Sequence, residues 1–423
     1  MNNTSPETPP GSKGSLWTTF WLGLCAVTLV VCVIYDPGKA FDATLQGLTV
    51  WWHIVFPALL PFLVLSEMMI AYGLVHGLGT LFDPLTRRLF RIPGESGFLL
   101  PLGLIAGFPA AAESAARLHG QHKLTAGEAA RLSAAAHFCN PMLIVVVVGT
   151  GFMHTPALGV LLAAIHIAAG LTAGLTMGWL RRPHDSATAT ASATVSTSAS
   201  ASPGKPAGQT TKTSLIRQVI RSTENARRLD GRSFGRLLGD TVSVAVQTLL
   251  SVGGYMLIFA LIIQVISRVL PKGFPDYIIP GLLEVHLGSF RLAESGPGSP
   301  ALQAALIGAG LGWGGLCSYF QVRAVLKPAG IGSRGFLLTR LLHGAYAYLI
   351  TLLIWNPVTS LFPHTVPAYR DSLADFKTQS DLLLSGGLPL WGLLGWQTAL
   401  FALLLGSMIL FTFIWRRKMR HQV

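Results

Sequence analysis

Ionisable and amide side chains sit in this chain among neighbours that are almost all apolar. Glu67 follows Ser66 inside residues 50–75, Glu113 stands four residues before Arg117, and Glu284 and Glu294 flank Arg291. His137, His166, His343, Asn140, Gln247, Gln264 and Arg340 lie in similar surroundings. Such groups are costly in an apolar medium, so they line a hydrated path, contact a solute or join helices. Both kinds of role stay open. Glu113 and Arg117 have the spacing of a helix pair. A lone histidine in a span serves as a helix-to-helix hydrogen bond as well as a proton relay. Glu67 has no partner close in sequence.

Backbone breaks are the second chemical feature. Gly107-Phe108-Pro109, Asn140-Pro141 and Gly312-Trp313-Gly314-Gly315 interrupt apolar runs. Unwound backbone at membrane depth is tolerated where it lines a cavity. The half-helices that start there offer N–H groups and a positive dipole end. Gly107, Phe108, Pro109, Asn140, Gly312 and Gly314 are therefore the first candidates for contact with a solute, followed by Glu67 and Glu284. Nothing points to an enzyme. Gly310 to Gly315 fits GxGxxG, but no strand precedes it, so a nucleotide loop is not expected. Neither an HExxH sequence nor a nucleophile–base pair is present, and no cofactor is expected. Cys25, Cys32, Cys139 and Cys317 form no CxxC pair and read as small hydrophobes rather than metal ligands.

The elements that must position these groups are membrane helices. Of 423 residues, 51% are hydrophobic and 12% charged, about half the charge of a soluble domain. The apolar residues fall in long runs, which excludes a soluble enzyme, a disordered chain and a nucleic-acid-binding module. The net charge of +13 sits mostly in loops and tails, where membrane topology places Lys and Arg. The fold class is an all-α polytopic membrane protein in the lipid bilayer. It has about eight spans, near 16–35, 50–75, 130–153, 156–180, 242–267, 302–322, 336–355 and 389–415. Two further segments, 94–117 and the acid-bearing stretch Gly281 to Glu294, read as broken or re-entrant helical hairpins. Pro57 and Pro61 should kink the second span. Gly170, Gly174 and Gly178 share one helix face, where a neighbouring backbone could approach.

Charge orients the spans. Residues 181–236 hold ten Lys/Arg against three Asp/Glu, which makes this segment cytoplasmic, as is the tail Arg416-Arg417-Lys418-Met419-Arg420. Arg87, Arg88 and Arg91 share that face if 94–117 enters and leaves by it. Asp371, Asp375 and Asp381 suit an outer loop. The expected organisation is a polar leader (1–15), a first transmembrane helix (16–35) and an N-terminal half (40–180). A cytoplasmic low-complexity linker with a basic interfacial helix (181–239) leads to a C-terminal half (240–356). An extracytoplasmic loop (357–388), a last span (389–415) and a basic tail (416–423) complete the chain.

The halves echo each other. Gly107 precedes His137 by thirty residues, Gly312 precedes His343 by thirty-one, and a basic loop and an Arg-Leu pair lie between in each case. Two pseudo-repeated halves with interrupted segments are the pattern of a secondary transporter. Both basic loops, 117–131 and 323–340, read as cytoplasmic. That agrees with parallel repeats, or with one hairpin being a full span.

These residues also carry a resemblance. Trp51-Trp52-His53-Ile54-Val55-Phe56-Pro57-Ala58-Leu59-Leu60-Pro61-Phe62, continuing to Ser66-Glu67, resembles the YlbJ (stage V sporulation protein V) family of sporulation integral membrane proteins. So do Ala106 to Pro109, Asn140-Pro141, Gln247 to Leu250 with Gly253-Gly254, Gly281 to Glu284, and Arg340 to Gly344. The resemblance covers about residues 40–180 and 240–356. It implies Gate-like halves of the nucleoside-recognition group, related to concentrative nucleoside transporters. It also implies a multi-pass bacterial cell membrane protein in the mother-cell-derived outer forespore membrane. The implied role is movement of dipicolinate, a small organic anion, from mother cell to forespore for spore cortex formation. Such a solute needs donors for two carboxylates. Arg340 with His343, or Arg117, would add cationic character to the helix ends. The chain departs from the family pattern at Ala110-Ala111-Ala112-Glu113, where an acid replaces a cation. A nucleoside transporter and a non-transporting scaffold for cortex assembly are the alternatives, and a homo-oligomer is left open.

Overall fold

The computed structural model describes residues 16–85, 96–108, 110–180 and 214–361. Pro109, Arg87, Arg88, Arg91, the leader, the low-complexity stretch up to 213, the last span and the tail lie outside the described residues, as does nearly all of the outer loop. Every regular element described is helical. Five helices, Pro37–Ala71, Pro156–Trp179, Phe234–Ser267, Pro300–Leu326 and Arg334–Leu361, are long and apolar enough to cross a bilayer. With the shorter apolar α1 (Leu16–Tyr35) and an interrupted helix over 126–152, they make an all-α polytopic membrane protein.

The first long helix, α2 (Pro37–Ala71), begins thirteen residues before the span expected from hydropathy, because Asp36 caps it by accepting from the Lys39 N–H at 3.2 Å. Its turn over Trp51–Val55 widens to π geometry just before Pro57. Pro57 has no N–H to continue the α ladder, so the strain is relieved one turn earlier. Trp51 turns inward and donates its indole N–H to the Leu249 carbonyl at 3.0 Å. Gly253 leaves room for that ring: a Cβ there would lie 2.5 Å from it. This contact locks α2 against α10 (Phe234–Ser267). The numbering in between runs α3 (Leu74–Leu85), α4 (Leu99–Ala106), α5 (Ala110–Gly120), α6 (Ala126–Ala135), α7 (Leu143–Phe152), α8 (Pro156–Trp179) and α9 (Leu215–Asp230). After α10 come α11 (Ile278–Leu283), α12 (Val285–Ser295), α13 (Pro300–Trp313), α14 (Gly315–Leu326) and α15 (Arg334–Leu361).

Each half has one order of parts: long helix, hairpin of two short helices, interrupted helix, long helix. In the first half these are α2, α4–α5, α6–α7 and α8; in the second they are α10, α11–α12, α13–α14 and α15. The hairpin arms are too short to span, at roughly 12 Å for an eight-residue helix against a ~30 Å core. In the second hairpin the arms touch so closely that a Cβ on Gly288 would lie 2.5 Å from the Gly281 Cα. A hairpin that returns to the face it entered would leave each half with three crossings, with 126–152 counted as one of them. An odd number of crossings sets the second half upside down relative to the first.

That order changes the register of the repeat. The Gly107 break forms the tip of a hairpin, whereas Gly312–Gly314 ends the first part of an interrupted helix. Their structural counterparts are Glu284 and Asn140, respectively. The basic segments 117–131 and 323–340 therefore occupy different places in their halves, and both fall on one face of an inverted repeat. Equal spacing to a histidine made unlike parts look alike.

The glycines of α8 also behave differently from expectation. Backbone approach occurs at Gly159, where a Cβ would lie 2.9 Å from the Gly149 and Val145 Cα atoms of α7. At Gly170 the space is filled by the rings of Phe138 and His343 instead. On α9, the apolar stripe of Leu215, Ile216 and Ile220 points outward. The opposite face packs on α3, where Gly77 admits Thr223 and Val219. An outward apolar face beside Arg217 and Arg221 is the form of a helix lying on a lipid surface. Arg232 anchors the α9–α10 turn by pairing with Asp230 at 2.7 Å and Asp240 at 3.1 Å. Burial pushes the Asp230 carboxyl up, but the Arg232 hydrogen bonds and charge outweigh it and hold the group below the usual carboxylate range.

Replacing Gly159 by Val should cost about 1–3 kcal/mol through overpacking. Gly239→Ala, on an open face of α10 with nothing within 4 Å, should be neutral or gain up to ~1 kcal/mol. Thermal unfolding of the two variants in detergent checks this.

Candidate functional site

Every interrupted element leaves polar main-chain atoms that need partners inside the bilayer. At the end of α4 the Ile105 carbonyl accepts from Asn140 Nδ2 at 3.0 Å and Ser66 Oγ at 3.2 Å. Asn140 also accepts, through Oδ1, from the Met142 N–H at 2.7 Å, and so caps α7. Gly107 turns the hairpin with φ 74°, and Gly314 turns the second interrupted helix with φ 80°. Both values lie in the region where a Cβ is strained. In the second hairpin Glu284 caps α12, its Oε2 accepting from the Leu287 N–H at 2.8 Å. Its Oε1 lies 2.7 Å from His286 Nδ1.

A second set of contacts holds the negative ends of the breaks. Arg340 of α15 is 1% exposed. It donates to the His137 carbonyl at 2.6 Å and the Ala134 carbonyl at 2.7 Å, where α6 ends. It also reaches the Gly312 carbonyl of α13 at 3.5 Å. Its Nη1 lies 2.9 Å from His343 Nδ1, while His343 Nε2 lies 2.8 Å from the His166 carbonyl. Arg340 can only donate, so His343 carries its proton on Nε2. His166 Nε2 in turn accepts from the Cys139 N–H at 3.0 Å. The three in-span histidines thus sit in one buried cluster around the first interrupted helix.

With their C-terminal ends held by Arg340, the interrupted spans turn their second parts toward a cavity of about 370 Å³. Gly107 and Phe108 of the first hairpin, Asn140, Glu284 and Gly314 all line it. The starts of α7, α12 and α14 face it, together with the tip that precedes α5. Helix N-terminal ends carry partial positive charge. Leu59 and Leu63 of α2 and Leu143 of α7 supply apolar wall, and Phe108 presents a ring stacked on His137 at 4.5 Å.

Other candidates lie elsewhere. Gly312 is buried, with the Gly344 backbone within 2.8 Å of where its Cβ would be, so it serves the crossing of α13 and α15. Arg340 and His343 stand behind the breaks and do not line the cavity. Glu67 is half-buried on α2, off the cavity, within electrostatic reach of Arg232 and Glu113. Gln247 is exposed on α10. Glu113 lies in the cavity wall. Sequence reading missed several lining residues: Thr248, Ser251 and Tyr255 on α10, and Cys317, Ser318 and Gln321 on α14. Thr248, Ser251 and Tyr255 at i, i+3 and i+7, and Cys317 and Gln321 at i and i+4, each share one helix face, a signal present in the sequence. His286, two residues from Glu284, was also passed over.

Over 348 residues the chain is 32% identical to the sporulation integral membrane protein YlbJ of Bacillus subtilis (strain 168), spanning 78% of this chain and 81% of that protein. The chain belongs to the YlbJ family. No family model and no solved structure matches it.

Arg340→Met should leave the Ala134 and His137 carbonyls buried without donors and cost roughly 2–5 kcal/mol. Arg340→Lys, which cannot fork to two carbonyls, should recover part of that loss. Unfolding midpoints in detergent measure both.

Proposed function

We propose that this YlbJ-family membrane protein is a transporter of a small organic anion, and that the anion is dipicolinate. It would move from the mother cell toward the forespore across the outer forespore membrane, in support of spore cortex formation. The observation that carries this reading is the convergence of four backbone breaks on one cavity, with helix starts facing inward. N–H groups at helix starts bind carboxylates without a full charge. A cavity of about 370 Å³ with apolar walls and a few polar groups suits a flat aromatic diacid. The inverted order of the halves supports alternating access around a fixed site.

A nucleoside is the second reading, and one observation favours it. The described lining residues include Glu113, Glu284, Asn140 and Gln321 but no Lys or Arg. Carboxylates and amides suit ribose hydroxyls.

Proteoliposomes loaded against labelled dipicolinate and labelled nucleosides separate the two. Dipicolinate uptake above empty vesicles is the expected result, and nucleoside uptake alone selects the second reading. Glu284→Gln should lower transport severalfold without lowering membrane abundance. Glu67→Gln tests whether the carboxylate off the cavity takes part, and wild-type rates there would remove it. Deleting residues 185–213 should leave transport and sporulation intact, whereas a scaffold acting through that linker would fail.

A further inference from the structure

The cavity poses an electrostatic problem for an anion. Two carboxylates line it, and no Lys or Arg does so among the described residues. We propose that Glu284 and His286 form a proton-binding pair in its wall, and that the transported anion moves together with a proton taken up there. This rests on the anion reading above and adds the coupling ion to it.

The pair is built for the purpose. Glu284 is 2% exposed and His286 6%, yet both border the cavity. The carboxylate is held at the start of α12 by the Leu287 N–H, and its second oxygen meets His286 Nδ1 at 2.7 Å. An ionised carboxylate at that distance selects the Nδ1–H form of the ring. The lone pair then lies on Nε2, and a proton arriving there turns a carboxylate beside neutral imidazole into a carboxylate–imidazolium pair with no net charge.

Among the described residues, no Lys or Arg shares the cavity wall with the pair. Cys317 of α14, Tyr255 of α10 and Glu113 of α5 line the same cavity as the pair. Cys139 lies within electrostatic reach from the break between α6 and α7, as Cys317 does, and both sense the Glu284 charge. The Arg340 guanidinium behind them is engaged by carbonyls. From α13, Trp313 donates to the Leu282 carbonyl at 2.9 Å and brings no charge. Without a bound proton, a dianion would meet two like charges in a low-dielectric space. With one, Glu284 is neutralised and the helix starts act unopposed. The proton enters from the water on the side open to the cavity and leaves where the anion leaves. Anion and proton therefore favour each other's binding.

Proton uptake per dipicolinate bound is the direct test, read calorimetrically on the full chain in detergent in buffers of different ionisation enthalpy. Wild type should take up close to one proton over the pH range where the pair is unprotonated at rest, and affinity should rise up to about tenfold per unit fall in pH there. Glu284→Gln and His286→Gln should each bring the ratio toward zero, whatever affinity remains. Dipicolinate binding with no proton uptake in wild type, or an unchanged ratio in both variants, overturns the pair and leaves the anion reading intact. Failure of wild type to bind dipicolinate overturns the anion reading and the coupling with it. Infrared difference titration then decides the pair by itself: an imidazole–carboxylate signal lost in both variants upholds proton binding, and its absence in wild type overturns it.

Discussion

The fold depends on how the broken ends of two membrane helices are satisfied. A helix cut within a bilayer exposes carbonyls on one side of the cut and N–H groups on the other. Arg340 answers the first set at α6 and reaches the end of α13 as well. A guanidinium offers several donors in a rigid fork, and helix C-terminal ends carry partial negative charge that balances its own. A charge buried at that depth is tolerable because the carbonyls of both halves surround it. The second set, the N–H groups, lies at the cavity, where the Asn140 and Glu284 side chains accept from the Met142 and Leu287 N–H groups.

From that asymmetry follows the polarity of the site. Positive helix ends point inward, while the buried Arg340 stays behind them. Asn140 and Ser66 close the Ile105 carbonyl of the first hairpin, and Glu284 occupies the start of α12 in the second. The halves thus solve one problem with different side chains: an amide in one and a carboxylate beside an imidazole in the other. A repeated frame thus carries an asymmetric site. Membership of the YlbJ family places this frame in sporulation. The solute and the coupling proton are proposed from the chemistry of the cavity wall.

Much of the fold was legible from residue patterns. Long apolar runs are the physical requirement for crossing a bilayer, so helices over 156–180 and 336–355 could be read directly. Gly107, Asn140 and Gly314 could be picked out because breaks at membrane depth need a reason. The lining faces of α10 and α14 were equally readable from their spacing, but their polar residues are small and do not stand out against a glycine break. Arg340 and His343 looked like solute contacts because a charge in a span is costly. Spacing along a chain does not reveal whether such a charge faces a cavity or a carbonyl.

Composition and periodicity determined that this chain is a bundle of membrane helices with interrupted segments, because transfer from water to lipid acts on each stretch separately. The register of the repeat, the convergence of the breaks and the burial of Arg340 were decided by tertiary structure. Those features depend on contacts between residues some two hundred positions apart, such as Arg340 with Ala134 and His137. No local rule of hydropathy or helix propensity encodes such pairings.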